Sequence, residues 1–315
     1  MNDPATLLDA GYAAARWGWY LSVFLLLGAG GYAPFLFRRR TGLPFTDPDL
    51  ALALGRRAAR IGLVAGLALL LFTAIRLYLQ ARTLIDPDES VSREILSAVL
   101  GTSWGQGWER QAALALLAAL AFGAATAGSR LGWMVGTAAG GGLGLVSGMT
   151  GHAVTQRAGS WGWMLDAAHV WAGGFWLGGL AVMLIAGVGA CRALPDERRT
   201  PLIRALVGDF SRRALVFGPL AIGLGVWLAI RYLGWNWPLH LFDTVYGTAL
   251  AVKLGLLVVI GGLGAYNWKV AQPGLTHARG EDRFRKSGAL EAAFGGLLLL
   301  VTAVLVALPL PGEHP

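Results

Sequence analysis

The chain has 315 residues, 55% of them apolar and only 14% charged, with 26 lysines and arginines against 18 aspartates and glutamates for a net charge of +8. A charged share well below the roughly one quarter usual in globular proteins, with apolar residues in long blocks, argues against a water-soluble enzyme, a disordered chain or a fibrous one. The arginines sit in short stretches between apolar runs with no aromatic interleaving, so the positive excess suits a membrane surface and not nucleic acid. The single cysteine, Cys191, leaves no internal disulfide framework and no cysteine-cluster metal site.

A bilayer-spanning helix needs about 20 mostly apolar residues. Taken in chain order, eight runs qualify: 12–37, 58–80, 110–128, 131–153, 161–190, 214–234, 247–268 and 288–310. The first follows an acidic start without a positive n-region and is too long for a signal-peptide core, so it reads as an uncleaved span. The longest connection, residues 81–109, is too short to fold as a domain of its own. The expected architecture is all-α: a single integral membrane domain over 1–315, a polytopic bundle of about eight transmembrane helices. Small-x3-small pairs, Gly140 with Gly144 and Gly174 with Gly178, predict close helix crossings in lipid.

Lysine and arginine are retained on the cytoplasmic side of a membrane. Most of the basic residues fall in one alternating set of connections: Arg38–Arg40 with Arg56, Arg57 and Arg60; Arg130; Arg192 to Arg213; and Lys269 to Lys286. Both termini are therefore expected on the periplasmic side of a bacterial inner membrane. Tryptophan prefers the membrane–water interface, and Trp17/Trp19, Trp104/Trp108, Trp161/Trp163 and Trp235/Trp237 all lie at the ends assigned outward.

Ionisable groups inside a membrane are expensive and mark function by default. The densest set surrounds the fourth and fifth spans, where Met149 precedes His152 by three residues and Asp166 precedes His169 by three, each pair on one helix face. Gly162, Asp166, His169, Gly173 and Trp176 follow one stripe, leaving space beside the imidazole. Two readings of His169 stand: a packed histidine hydrogen-bonded to Asp166 or a carbonyl, or a ligand whose second nitrogen is oriented by a carboxylate. Methionine with two histidines suits copper better than magnesium or calcium, because thioether and imidazole are soft or borderline donors. His240 and Asp243, ahead of the seventh span, lie where an access route would begin. Tyr246 and Lys253 share a face of that span, and Lys253 would either pair with Asp166 or Glu109 or repel a cation, charge neutralisation being the favoured reading.

These residues fall in segments that resemble the copper resistance protein D (CopD) family of bacterial inner-membrane proteins. The segments are Ser147-Gly-Met-Thr-Gly-His152-Ala, Asp166-Ala-Ala-His169-Val-Trp-Ala-Gly-Gly-Phe-Trp176-Leu-Gly-Gly, Asp209-Phe-Ser-Arg-Arg-Ala and Tyr246-Gly-Thr-Ala-Leu-Ala-Val-Lys253-Leu, followed by a C-terminal helix with Glu291-Ala-Ala near its start. The likeness covers roughly 145–311, and its His-x6-Trp-x-Gly-Gly element is the most specific part. It implies copper handling, often as inward transport with a small periplasmic copper-binding partner of the CopC type. It carries His152 and His169 over as ligands, and Tyr246 and Lys253 as family positions.

Two functions of different class follow. In the first, copper from the periplasm is taken up at Met149, His152, His169 and Asp166 and released inward, or is presented to a partner. In the second, His152 and His169 are axial ligands of a b-type haem exchanging electrons with quinone or metal. Two stacked haems would require four histidines in the membrane, which the sequence does not supply, and the two histidines differ in depth by helix rise. No phosphate-binding Gly-x4-Gly-Lys-Ser/Thr motif occurs, so the chain is not read as an ATP-driven enzyme.

Overall fold

The computed structural model describes residues 4–32, 48–147, 162–191, 194–276 and 280–308. Among them no strand occurs, and the helices follow in the order α1 (Pro4–Gly30), α2 (Pro48–Arg82), α3 (Arg93–Leu100), α4 (Ser103–Thr126), α5 (Arg130–Ser147), α6 (Gly162–Cys191), α7 (Asp196–Leu233), α8 (Val245–Tyr266, continued by Asn267–Ala271) and α9 (Gly280–Leu305). The described part of every predicted span lies largely in one of the long helices. Five segments, Ala51–Arg82, Gly162–Cys191, Glu197–Leu233, Val245–Ala271 and Gly280–Leu305, are long and apolar enough to cross a membrane on those grounds alone. The protein is an all-α polytopic membrane bundle.

Two connections differ from their sequence reading. The stretch 81–109 contains the short helix α3, started by Ser92, whose hydroxyl accepts from the Ile95 amide at 3.4 Å. Residues 198–213, read as a connection because of their arginines, form the first half of α7, which runs 38 residues, about 57 Å at 1.5 Å each. Hydropathy sees only the apolar half of such a helix. Its polar half is held by pairs at helical spacing: Asp209 accepts from Arg212 at 3.2 Å and from Arg213 Nη2 at 2.6 Å.

The helices run alternately up and down, as the polar contacts at their ends require. At one end the Tyr12 hydroxyl of α1 donates to Gln80 of α2 (3.2 Å), Arg76 of α2 to Gln111 of α4 (3.0 Å), and Tyr232 of α7 to Asp166 of α6 (3.1 Å). At the other end Arg213 of α7 donates to the Gly31 carbonyl just past α1 (2.9 Å), and Arg199 pairs with Glu281 at the start of α9 (2.9 Å). There, too, the π-helical continuation of α8 is pinned to α9: Asn267 Nδ2 donates to Glu291 Oε2 at 2.6 Å and Ser287 to Asn267 Oδ1 at 2.5 Å.

Helix α6 is the centre of the bundle, with 72% of its apolar window buried against 11% for those of α7 and α8. It is so deeply packed because glycine removes the side chains that would hold its neighbours off. A Cβ on Gly178 would overlap the Phe24 carbonyl of α1, one on Gly28 would overlap the backbone of Gly178, and one on Gly174 would run into Leu27. The predicted small-residue crossing at 174–178 is thus a backbone-to-backbone contact with α1. Two π-helical stretches, Gly174–Gly178 and Met183–Val188, interrupt the α-helical winding of α6. On α5, Gly144 leaves room for the Trp171 indole, which donates to the Gly141 carbonyl at 2.9 Å. Replacing Gly144 with valine drives a branched side chain into that ring, and overpacking of this kind costs about 1–3 kcal/mol. A lowered thermal unfolding midpoint in detergent checks it; an unchanged midpoint contradicts the packing described.

The tryptophans at the predicted outer end do more than sit at an interface. Trp19 is 2% exposed, Trp17 donates to the Gly296 carbonyl of α9 at 2.9 Å, and Trp108 donates to the Thr73 carbonyl of α2 at 2.7 Å. They tie helices together, which gives a physical reason for their gathering at one end. Trp163 and Trp235, at 38% and 76% exposed, keep the orientation expected of an interfacial ring.

Candidate functional site

A cavity of about 310 Å³ opens where α6, α7, α8 and α9 meet the middle of α1. Its lining is mostly aliphatic and aromatic, and Asp166, His169, Tyr232, Tyr246, Lys253 and Thr302 supply side-chain polar groups. A pocket of this kind, apolar with a few convergent polar groups, is the expected form of a small-ligand site.

His169 projects from α6 toward α7, and its Nδ1 lies 2.9 Å from the Ala221 carbonyl. A carbonyl can only accept, so Nδ1 carries the proton and Nε2 presents its lone pair. Sequence reading offered Asp166 or a carbonyl as the group orienting this ring, and the carbonyl is the one present. Gly225 is the reason the ring reaches it: a Cβ there would stand 3.1 Å from His169 Cε1. Pro219, inside α7, lacks the amide that would otherwise bond one turn back.

Asp166, one turn before His169, accepts from the Tyr232 hydroxyl at 3.1 Å. The carboxylate is therefore held by α7 and not by the imidazole, although both line the same cavity. Lys253 enters from α8 and lies near enough to His169 to act on it electrostatically. It takes no part in the hydrogen bond to Asp166, which corrects the expected Lys253–Asp166 pairing: α7 places a phenol there first. Glu109, the other carboxylate considered for it, is exposed on α4. Tyr246 lines the cavity at the start of α8, and Trp176, 7% exposed, borders it deeper in the membrane, against Gly218.

Met149 and His152 lie outside the described residues, so of the predicted copper set the structure describes Asp166 and His169, and of the haem pair His169 alone. The His240 side chain is likewise outside them. Asp243 is exposed in the turn ahead of α8; from that same connection Trp237, not Asp243, borders the cavity. Among the described residues no three of histidine, cysteine, aspartate and glutamate converge on one point. Sequence reading missed Tyr232, Gly225 and the Ala221 carbonyl. Their signals were faint: a tyrosine at the polar end of a span, and Pro219 followed by Gly223-Leu-Gly225 in an otherwise aliphatic helix.

Residues 7–163 match the family described as Copper resistance protein D-like, N-terminal domain, and residues 204–305 match Copper resistance protein D. The chain belongs to the copper resistance protein D family. The N-terminal match extends the likeness over helices that the sequence motifs did not reach. Tyr232, Tyr246 and Lys253 fall inside the second matched stretch, while α6, with Asp166, His169 and Trp176, lies mostly between the two. Among curated proteins the chain is 30% identical over 228 residues to the protein named Copper transport protein CutJ of Bacillus subtilis (strain 168), an alignment covering 70% of this chain and 39% of that protein. The chain thus spans about two fifths of the length of this copper resistance protein D relative. No solved structure matches it.

Proposed function

We propose that this protein binds copper in the cavity between α6, α7, α8 and α9 and carries it across a bacterial inner membrane from the periplasm to the cytoplasm. The observation that carries the reading is the His169 ring: its Nδ1–H is held by a backbone carbonyl and its Nε2 lone pair is left for a ligand. That is how protein-bound histidine is commonly oriented toward a metal. Family membership and the name of the Bacillus relative support copper as the cargo. Asp166 adds an oxygen donor, and Met149 and His152, just N-terminal to α6, complete the proposed soft set. Inward direction is supported by the basic residues: the end bearing the cavity is the one that the charge distribution places outside. A periplasmic copper-binding protein of the CopC type would then be the donor.

Copper accumulation in proteoliposomes carrying the purified protein tests the whole of it. Accumulation driven by external copper is expected. Binding without flux would reduce the protein to a copper-presenting factor, and absence of binding would remove the reading.

Lys253 supplies a second check. A cation in the cavity meets its ammonium, and two like charges in a poorly solvated space repel by on the order of 1–2 kcal/mol at an effective dielectric of about 20. Lys253→Met is therefore expected to tighten copper binding about tenfold, read by competition with a chelator. Weaker binding in this variant would mean that the lysine supports the site and does not oppose its cargo.

A further inference from the structure

A second polar cluster lies among α1, α2 and α4. Arg76 of α2 is 4% exposed, gives Nη1 to Gln111 at 3.0 Å, and holds its guanidinium 5.4 Å above the Trp19 ring. Arg16, three residues before Trp19 on α1, lies over Tyr12 at 5.0 Å, and both Arg16 and Tyr12 are close enough to Arg76 to interact with it electrostatically. Two guanidinium groups therefore share one region, and no carboxylate among the described residues is paired with Arg76.

The same region holds four buried atoms without a hydrogen-bond partner: Arg16 Nη1, Trp19 Nε1, Thr73 Oγ1 and Arg76 Nε. Three of these can only donate, and the fourth can. A buried donor left unsatisfied costs roughly 1–3 kcal/mol, and buried cations are normally paired, so a cluster with two cations, four unsatisfied atoms able to donate and only the neutral partners Gln111 and Tyr12 is incomplete as it stands. What completes it must bring several acceptor oxygens and negative charge. A tetrahedral oxyanion does this, and arginine forks match its geometry.

Depth narrows the class. Arg16 and Arg76 each lie about four residues, or roughly 6 Å, inside the outward end of their predicted spans, near the boundary between hydrocarbon and headgroups. Arg16 is only partly buried and forms the open side of the cluster. We propose that Arg16, Trp19, Thr73 and Arg76 form a binding site for a phosphate-type oxyanion, carried by an anionic phospholipid headgroup or taken as free phosphate.

The test uses the whole 315-residue chain and no copper. Native mass spectrometry of wild type asks which phospholipid is retained, and thermal unfolding is followed with added phosphatidylglycerol, phosphatidylcholine or inorganic phosphate. Retention of an anionic lipid, with a midpoint raised by phosphatidylglycerol and not by phosphatidylcholine, establishes the lipid as the source. A midpoint raised by inorganic phosphate, without retained lipid, establishes the free ion. Each charge-assisted hydrogen bond removed weakens binding by about tenfold or more, so Arg76→Gln and Arg16→Gln should each lose that much. Arg16→Gln, at a partly exposed position, keeps the comparison open if Arg76→Gln does not fold. Wild type that retains no anionic lipid and responds to neither phosphatidylglycerol nor phosphate overturns the proposal. So does undiminished binding in a folded Arg16→Gln or Arg76→Gln variant.

Discussion

Replacing His169 with alanine is expected to weaken copper binding by at least about a hundredfold while leaving the bundle folded. Loss of a group that only orients a ligand commonly costs 10- to 100-fold in metal affinity, and His169 is proposed as a ligand itself. The fold should survive because the ring borders a cavity and a notch at Gly225, so its loss enlarges existing space instead of opening a tightly filled core. Its one hydrogen bond goes to a carbonyl already built into α7. A helical circular-dichroism spectrum and a monodisperse elution profile establish folding, and titration against a copper chelator reads the affinity. His169→Gln serves as the contrast, since its amide can still donate to the Ala221 carbonyl but offers no nitrogen lone pair. If either variant binds copper as wild type does, the metal is held elsewhere, and Met149 with His152 becomes the set to remove next. Asp166→Asn separates the carboxylate from the imidazole: it retains an acceptor for Tyr232 and loses the charge, so a smaller loss is expected than for His169→Ala.

The bundle itself was legible in the sequence because the bilayer imposes a length and a polarity on each span, and among the described residues each apolar run lies largely in a long helix. The polar half of α7 was not, since a hydropathy window cannot tell an arginine-rich connection from an arginine-rich helix. The ion pairs at Asp209, Arg212 and Arg213 make that difference, and they appear only once helical spacing is assumed. At the site, intramembrane polarity singled out Asp166, His169, Tyr246 and Lys253, and all four line one cavity. Their partners were illegible. That Asp166 turns to Tyr232 and His169 to a carbonyl depends on how α6 lies against α7, and the notch at Gly225 that decides it is one glycine among 46 in the chain. Nor could the donor cluster at Arg16 and Arg76 be anticipated, since two arginines sixty residues apart meet only because α1 and α2 pack with their outer ends together.

The largest loss of stability is expected from Gly178→Leu. At this position α6 and α1 touch through their backbones: the new Cβ would overlap the Phe24 carbonyl, and Gly28 faces Gly178 with equally little space. A side chain normally escapes a clash by rotating, but a Cβ is fixed by the backbone and the obstructing atom is itself backbone. Relief is available only by moving α1 away from α6. That separation would open the contacts of Leu26, Leu27, Leu180 and Met183, each 3% exposed or less, and would widen the cavity bordered by Phe24 and Trp176. Changes exceeding about 4–5 kcal/mol are exceptional for single substitutions and belong to this class of mechanism. In a marginally stable protein such a loss removes most of the folded state. The adjacent Gly179 provides the internal comparison. Its Cβ would meet only the Phe210 ring, at 3.6 Å, an ordinary contact, so Gly179→Ala should shift the unfolding midpoint little. The pair is read by expression, monodispersity and thermal unfolding in detergent. A stable, monodisperse Gly178→Leu protein would mean that α1 and α6 do not cross at Gly28 and Gly178, and with that the cavity's inner wall would have to be redrawn.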